Sequence, residues 1–266
     1  MTAMTDAKQV TGFFDLSGKV VFIPGGYGGI GQAVVWGLAR QGAKVAIAGR
    51  DAEKAQALAT VMGAEGLVAY GCAMNAHSVE SIRTTVDAVV AEFGAIDVLM
   101  NCVGIQREQP LLDVTEEAWD EVAEINLKAA MFTAQAVARH QVAAARGGKQ
   151  VHLLSVRAQL GLRDRGYSAY CSTKGGLVML VKQHAMELAR HGITVNGIAP
   201  TVVRTEMANH WFANPVTAAQ IVDRIPLGRV AEPRDIVGAA IFFCATASDF
   251  VTGQILYLDG GITAGQ

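Results

Sequence analysis

The chain has 266 residues, 51% of them hydrophobic and 17% charged, with a net charge of −2. A chain this apolar can bury a large core, which excludes bulk disorder, and its near-neutral charge gives no global basic field for nucleic acid or anionic lipid. Glycine (29 residues) far outnumbers proline (6), so the glycine is not of collagen or low-complexity type. Short apolar runs at 20–23, 45–48, 67–70, 96–100, 151–154, 193–199 and 255–258 read as strands. Most are continuous rather than alternating, as expected of strands buried on both faces of a parallel sheet. Between them lie helical patterns. Gly42 stops one over 29–41, and a second begins at Asp51 with Gly63 after it. Others run over 78–93, 115–144 and 167–190, less regularly over 206–224, and over 233–246, where Pro233 sits at the start. This alternation predicts an α/β fold: one doubly wound domain with helices on both faces of its sheet. The expected boundaries are an N-terminal extension over 1–15 and a domain over 16–266, with a substrate lid around 206–226.

Cys72, Cys102, Cys171 and Cys244 form no CxxC pair and read as reduced thiols of a cytoplasmic protein. Residues 1–17 are polar, with no signal-peptide core, and no apolar run approaches membrane-span length. No histidine or cysteine cluster has metal-ligand spacing, so no metal site is expected.

Three local patterns carry chemistry. After the first strand comes Gly25-Gly26-Tyr27-Gly28-Gly29-Ile30-Gly31, with a helix directly behind it. Such a turn lets a phosphate approach the backbone at a helix N-terminus, which is the setting of a dinucleotide site. At the end of the second strand, Gly49 stands where an NAD site places an acid, and Arg50 follows. Arg50 suits a 2′-phosphate, so NADP(H) is favoured over NAD(H). Asp51, or a solvated Arg50 at a helix start, leaves the opposite choice open. Third, Tyr170 and Lys174 lie four residues apart, on one helix face. An ammonium beside a phenol lowers its pKa and makes it an acid–base group for an alcohol/ketone pair.

Together with Asn101-Cys102-Val103-Gly104, Asn126, Ser155 and Asn196-x3-Pro200, in that order, these residues make the chain resemble a short-chain dehydrogenase/reductase over 16–261. The resemblance implies a seven-stranded parallel Rossmann sheet and hydride transfer between NAD(P) and an alcohol or carbonyl. It also implies homo-oligomers, dimers or tetramers, built on the long central helices, and the surplus apolar faces over 115–144 and 167–190 point to a tetramer of dihedral symmetry. Tyr170 would move the proton, Ser155 would hold the substrate oxygen, Lys174 would bind the nicotinamide ribose, and Asn126 would hold a relay water. The implied cofactor contacts are Gly25, Tyr27, Gly29, Ile30, Gly31, Arg50, Asn101, Gly104, Pro200 and Thr205, besides Tyr170 and Lys174. The chain departs from the family at Pro24, Cys102-Val103, Ala73 and Thr201, all near the cofactor. Ser155 also precedes Tyr170 by 15 residues, which implies a short insertion over 162–166.

Substrate contacts fall in the loops at the strand ends: Gln106, Arg107, Arg157, Arg163, His210 and Trp211. The wording around Gln106-Arg107 and Pro110 is similar to that in sugar-acid and polyol oxidoreductases of the family, such as gluconate 5-dehydrogenases. The expected substrate is therefore a small molecule: a polyol, a sugar acid or another hydroxy acid. A 3-oxoacyl-thioester reductase is the alternative within the family. A non-catalytic NAD(P)-binding sensor or scaffold is the alternative outside enzymes.

Overall fold

The computed structural model describes residues 11–163 and 165–265, so the first ten residues of the expected extension lie outside the described residues. Seven parallel strands form one sheet in the order β3-β2-β1-β4-β5-β6-β7. They are β1 (Val20–Pro24), β2 (Lys44–Gly49), β3 (Ala69–Ala73), β4 (Val98–Asn101), β5 (Gly148–Leu153), β6 (Ile193–Pro200) and β7 (Ile255–Leu258). The chain order reverses between β1 and β4, so their carboxyl ends open the crevice where α/β sheets bind ligands.

Successive β1 residues feed opposite layers. Val21 and Ile23 pack with Val34 and Leu38 of α1 (Gly29–Arg40), Leu58 of α2 (Ala52–Ala64) and Ile236 of α9 (Pro233–Cys244). Val20 and Phe22 pack with Ile82 and Val86 of α3 (Val79–Phe93) and Val137 of α5 (Ala129–Ala144). Beyond them α6 (Ser168–Leu188) places Leu177, Val181 and Ala185 against Leu154, Val195 and Ala199. Every β1 side chain is buried, which is why the strand reads as an unbroken apolar run.

Capping sets the helix starts. Asp51, Ser78 and Thr115 accept the backbone N–H three residues on, at the heads of α2, α3 and α4 (Glu116–Ala123). The head of α1 differs: Gly28 offers no side-chain cap, which leaves its first N–H groups for a ligand.

Several details differ from the sequence reading, among them β5, which begins three residues before its apolar run, at Gly148. The third strand starts at Ala69, two residues later than the apolar run, because Gly66 in a left-handed turn and the Leu67 N–H bonded to the Met62 carbonyl first close α2. Gly63 does not stop that helix, which runs through it to Ala64. The expected helix over 115–144 is interrupted by a π-helical turn at Glu124–Lys128, between α4 and α5. The 206–224 segment divides into a 3₁₀ turn (Glu206–Ala208), α7 (Asn209–Phe212) and α8 (Pro215–Asp223).

Several polar groups lie within the apolar layers, each bonded to backbone. Gln150 donates to the Ala134 carbonyl, and Asn196 both donates to Val251 O and accepts from Gln254 N. His152, on β5, is more isolated. It is 1% exposed, its Nδ1 is 3.5 Å from Asn101 Nδ2, and its Nε2 has no partner among the described residues. Burial pulls its pKa down to about 3. The unfolded chain therefore takes up a proton as pH falls below the ordinary histidine range, while the folded chain does not until about 3. Stability should thus fall through this window, and His152→Asn should flatten the fall relative to the native chain in urea unfolding at pH 7 and pH 4.5. Parallel pH profiles for the two proteins would refute this.

Candidate active site

The site forms where the carboxyl ends of β1, β4, β5 and β6 meet. At the end of β1 the chain turns through Gly25, which has φ +77° and donates to Ala48 O at 2.7 Å. A Cβ on Gly25 would lie 2.8 Å from the Cys102 carbonyl carbon. One on Gly31 would strike the Gly25 carbonyl and come within 3.0 Å of Gly26 Cα. One on Gly29 would lie 2.6 Å from Thr205 Cγ2. The turn, the head of α1, the β4 loop and Thr205 therefore meet with backbone exposed between them. A bare, uncapped helix end beside such a cradle fits the pyrophosphate of a dinucleotide. Ile30 packs from this turn onto the core. Arg50 is exposed just past β2, beside Asp51.

The β4 loop is held from two sides. The Asn101 side chain accepts the Val103 N–H at 3.1 Å. Asn126, in the π turn, accepts the Ile105 N–H at 2.8 Å and donates to Ile105 O at 3.0 Å. Its amide also reaches Thr173 Oγ1 of α6 at 3.2 Å. Asn126 thus grips a strand–loop backbone 21 residues away, and the helix widens locally around it. Such π turns recur at functional sites. A Cβ on Gly104 would lie 3.3 Å from Lys174 Nζ and 3.5 Å from Asn126 Oδ1.

Ser155, at the end of β5, and Tyr170 and Lys174, on α6, come together here. Lys174 is buried, donates to Leu153 O at 2.8 Å and stands 5.6 Å from the Tyr170 ring centroid. Desolvation lowers its pKa to about 8. The four-residue spacing predicts that the ammonium depresses the phenol. Instead burial raises the Tyr170 pKa, and the main opposing influence is a hydrogen bond with Ser155. The ammonium is turned to the Leu153 carbonyl, which accounts for the difference. Pro200 ends β6, and the neighbouring Thr201 hydroxyl is buried without a partner among the described residues.

The expected substrate residues divide. Arg157 is half-buried beside Tyr170, with its guanidinium donating to Leu160 O and Gly161 O. Gln106, after β4, has a buried amide with no partner for either polar atom among the described residues, and the same holds for Trp211 Nε1. Trp211 reaches the site through Tyr167, whose ring lies 6.4 Å from the indole and 5.9 Å, edge-on, from Tyr170. His210 stacks edge-wise on Trp211 but is exposed. Arg107 is turned to Glu121, bonded at 2.7 Å to both of its carboxylate oxygens, and Arg163 is exposed.

The sequence reading missed Tyr167, Thr173 and Glu108. Tyr167 and Thr173 flank Tyr170 at three-residue spacing on its helix face, a signal that was available. Glu108 pairs with Arg165, which lies over the Trp211 ring, 57 residues away from Glu108 in sequence. The expected insertion packs against the β4 loop here: Gln109 donates to Gly166 O at 3.1 Å.

Known proteins share this sequence pattern and fold along nearly the whole chain. A family model described as Enoyl-(Acyl carrier protein) reductase matches residues 26–263. The chain is 38% identical to gluconate 5-dehydrogenase of Gluconobacter oxydans (strain 621H), over 94% of this chain and 96% of that one. It is 36% identical to 5-keto-D-gluconate 5-reductase of Escherichia coli (strain K12), over 94% and 97% of the two chains. The crystal structure of a gluconate 5-dehydrogenase from Burkholderia cenocepacia J2315, in complex with NADP and tartrate, superposes with a TM-score of 0.92 at 36% identity, covering 96% of this chain and 98% of that one. Among the described residues no helix is long and apolar enough to cross a membrane. A sheet order that opens at β1 and β4, a glycine cradle there, and relatives of this identity along nearly the whole length place the chain in the short-chain dehydrogenase/reductase family of oxidoreductases.

Proposed function

We propose that the chain moves a hydride between NADP(H) and a secondary alcohol or ketone of a sugar acid or polyol. The observation that carries this reading is the meeting of Tyr170, Ser155 and Lys174 with the bare glycine cradle at one crevice. The nicotinamide supplies or accepts the hydride. In reduction the Tyr170 hydroxyl gives its proton to the carbonyl oxygen, and in oxidation the phenolate takes the proton from the alcohol. The Ser155 hydroxyl donates to the same oxygen as negative charge gathers on it. Lys174, whose ammonium lies beside Gly104, would hold the nicotinamide ribose hydroxyls. Asn126 has its side-chain amide engaged with Ile105 and Thr173, so its backbone would hold the relay water.

The unsatisfied Gln106 amide and Trp211 indole N–H, with Arg157 nearby, support a substrate rich in hydroxyl or carboxylate oxygens. The names of the relatives point the same way: gluconate 5-dehydrogenase, 5-keto-D-gluconate 5-reductase and D-threitol dehydrogenase. The description of the family model favours a second reading, an acyl-thioester reductase. A polar ring of this kind suits that apolar chain poorly. For the cofactor, Gly49 in place of an acid, with Arg50 after it, supports NADP(H), with NAD(H) as the second choice, and three similar structures are described with NADP. The 206–226 segment, which carries Trp211 against Tyr167, is proposed as the substrate lid.

The proposal extends to assembly and location. Leu127, Met131 and Leu180 line a groove across the π turn, α5 and α6, and Met179 and Met186 of α6 are exposed. A surplus apolar face of this kind supports a homotetramer of dihedral symmetry. The free thiols at Cys72, Cys102, Cys171 and Cys244 support the cytoplasm.

Three measurements test this reading. Tyr170→Phe keeps the ring and removes the titrating group, so 5-ketogluconate reduction should fall by about 10²–10⁴-fold while NADPH fluorescence still reports binding; near-normal turnover would remove Tyr170 from the mechanism. Arg50→Ala should weaken NADPH by roughly 10- to 150-fold, the loss of one charge-assisted hydrogen bond, and leave NADH unchanged. Equal effects on both cofactors would make Arg50 a solvated helix-start residue. Light scattering at micromolar concentration should give a tetrameric mass, and a monomer would refute the assembly.

A further inference from the structure

From the sequence, Gly49 is a position where an acid is merely absent, so Gly49→Asp alone would offer the ribose of NAD an acceptor. The structure gives the absence a cause. Tyr27 leaves the turn between β1 and α1 and lays its ring over the end of β2, packed against the core. A Cβ built on Gly49 would lie 2.7 Å from both Tyr27 Cζ and the Tyr27 hydroxyl oxygen. The ring is also tethered. Its hydroxyl accepts the Asp51 N–H at 3.0 Å, and Asp51 in turn caps α2 by accepting the Lys54 N–H at 3.1 Å. Moving the ring aside therefore breaks a bond that fixes the start of α2.

We propose that Tyr27 is a positioning residue for cofactor choice: its ring fills the space that a side chain at position 49 would need, and so bars an acidic acceptor from the adenosine ribose. Position 49 can gain a side chain only if the Tyr27 ring is displaced or removed. The hydroxyl oxygen accepts from Asp51, so its own hydrogen remains to donate toward a ligand between Tyr27 and Arg50. The inference rests on the dinucleotide reading of the cradle. Which cofactor the native chain prefers is a separate matter.

The test uses the full-length protein carrying Gly49→Asp in three backgrounds: native Tyr27, Tyr27→Phe and Tyr27→Ser. Affinities are read by NADPH and NADH fluorescence titration, and folding by thermal melting. In the native background, where the tethered ring is kept, Gly49→Asp should lower the melting temperature and weaken both nucleotides together; in the Tyr27→Phe background, where the ring stays but loses its tether, it should do so to a smaller degree. In the Tyr27→Ser background, where the ring is gone, it should be tolerated and should shift preference toward NADH by at least about tenfold, the worth of one hydrogen bond to a charged group. The Tyr27→Phe arm separates ring bulk from the hydroxyl. The proposal is overturned if Gly49→Asp alone folds as well as the native chain and shifts preference as far as it does with Tyr27→Ser. It is equally overturned if Tyr27→Phe releases the shift as fully as Tyr27→Ser. A native chain that binds NADH more tightly than NADPH would sink the NADP(H) reading while the coupling between the two positions is still read from the three backgrounds.

Discussion

Backbone meets backbone at the end of β1, and the rest of the site depends on that approach. Gly31 lets the head of α1 sit on the Gly25 carbonyl, and Gly25 lets the same turn lie against Cys102 of the β4 loop. These contacts aim the uncapped N–H groups of α1 into the crevice and bring β4 close enough for its loop to reach Asn126 and Lys174. A methyl group at either glycine would push these segments apart. The sheet would survive, because its strands are held by their own ladders and by two apolar layers. The cradle would not.

The second organising element is a buried positive charge. Lys174 is 3% exposed, and it donates to the Leu153 carbonyl at the end of β5. Burying an ammonium is costly unless it is well bonded, and burial brings its pKa to about 8. That places the charge within reach of the physiological range and beside a phenol whose own ionisation burial disfavours. Both environments disfavour the charged form, and they push the two pKa values apart, the ammonium down and the phenol up.

What was legible in the sequence was local. The glycine turn and the Tyr170–Lys174 pair show as spacings within one element, and the parallel sheet shows as unbroken apolar runs such as Val20 to Ile23. What was not legible depends on partners distant in sequence. The π turn follows from Asn126 binding Ile105, and Arg107 is directed away from the crevice by Glu121. The Lys174 ammonium answers to a carbonyl 21 residues before it rather than to the phenol one helical turn away. The same holds for Tyr27 and Gly49, each ordinary alone, whose relation exists only once β1 and β2 lie side by side.

The π turn also bears on how the chain tolerates changes in length. One residue advances a regular α-helix by about 100°. The wide turn takes up one residue more than an α-helical stretch of the same rotation, so α4 and α5 keep the phase of one continuous helix. Deleting a residue from 124–128 would let the segment close into an ordinary helix with its two flanks still in phase, and what would be lost is the widened turn from which Asn126 holds Ile105. A single-codon deletion here would therefore leave the helix more regular and the β4 loop unheld. In this segment local helical ideality and the grip needed by the site are opposed.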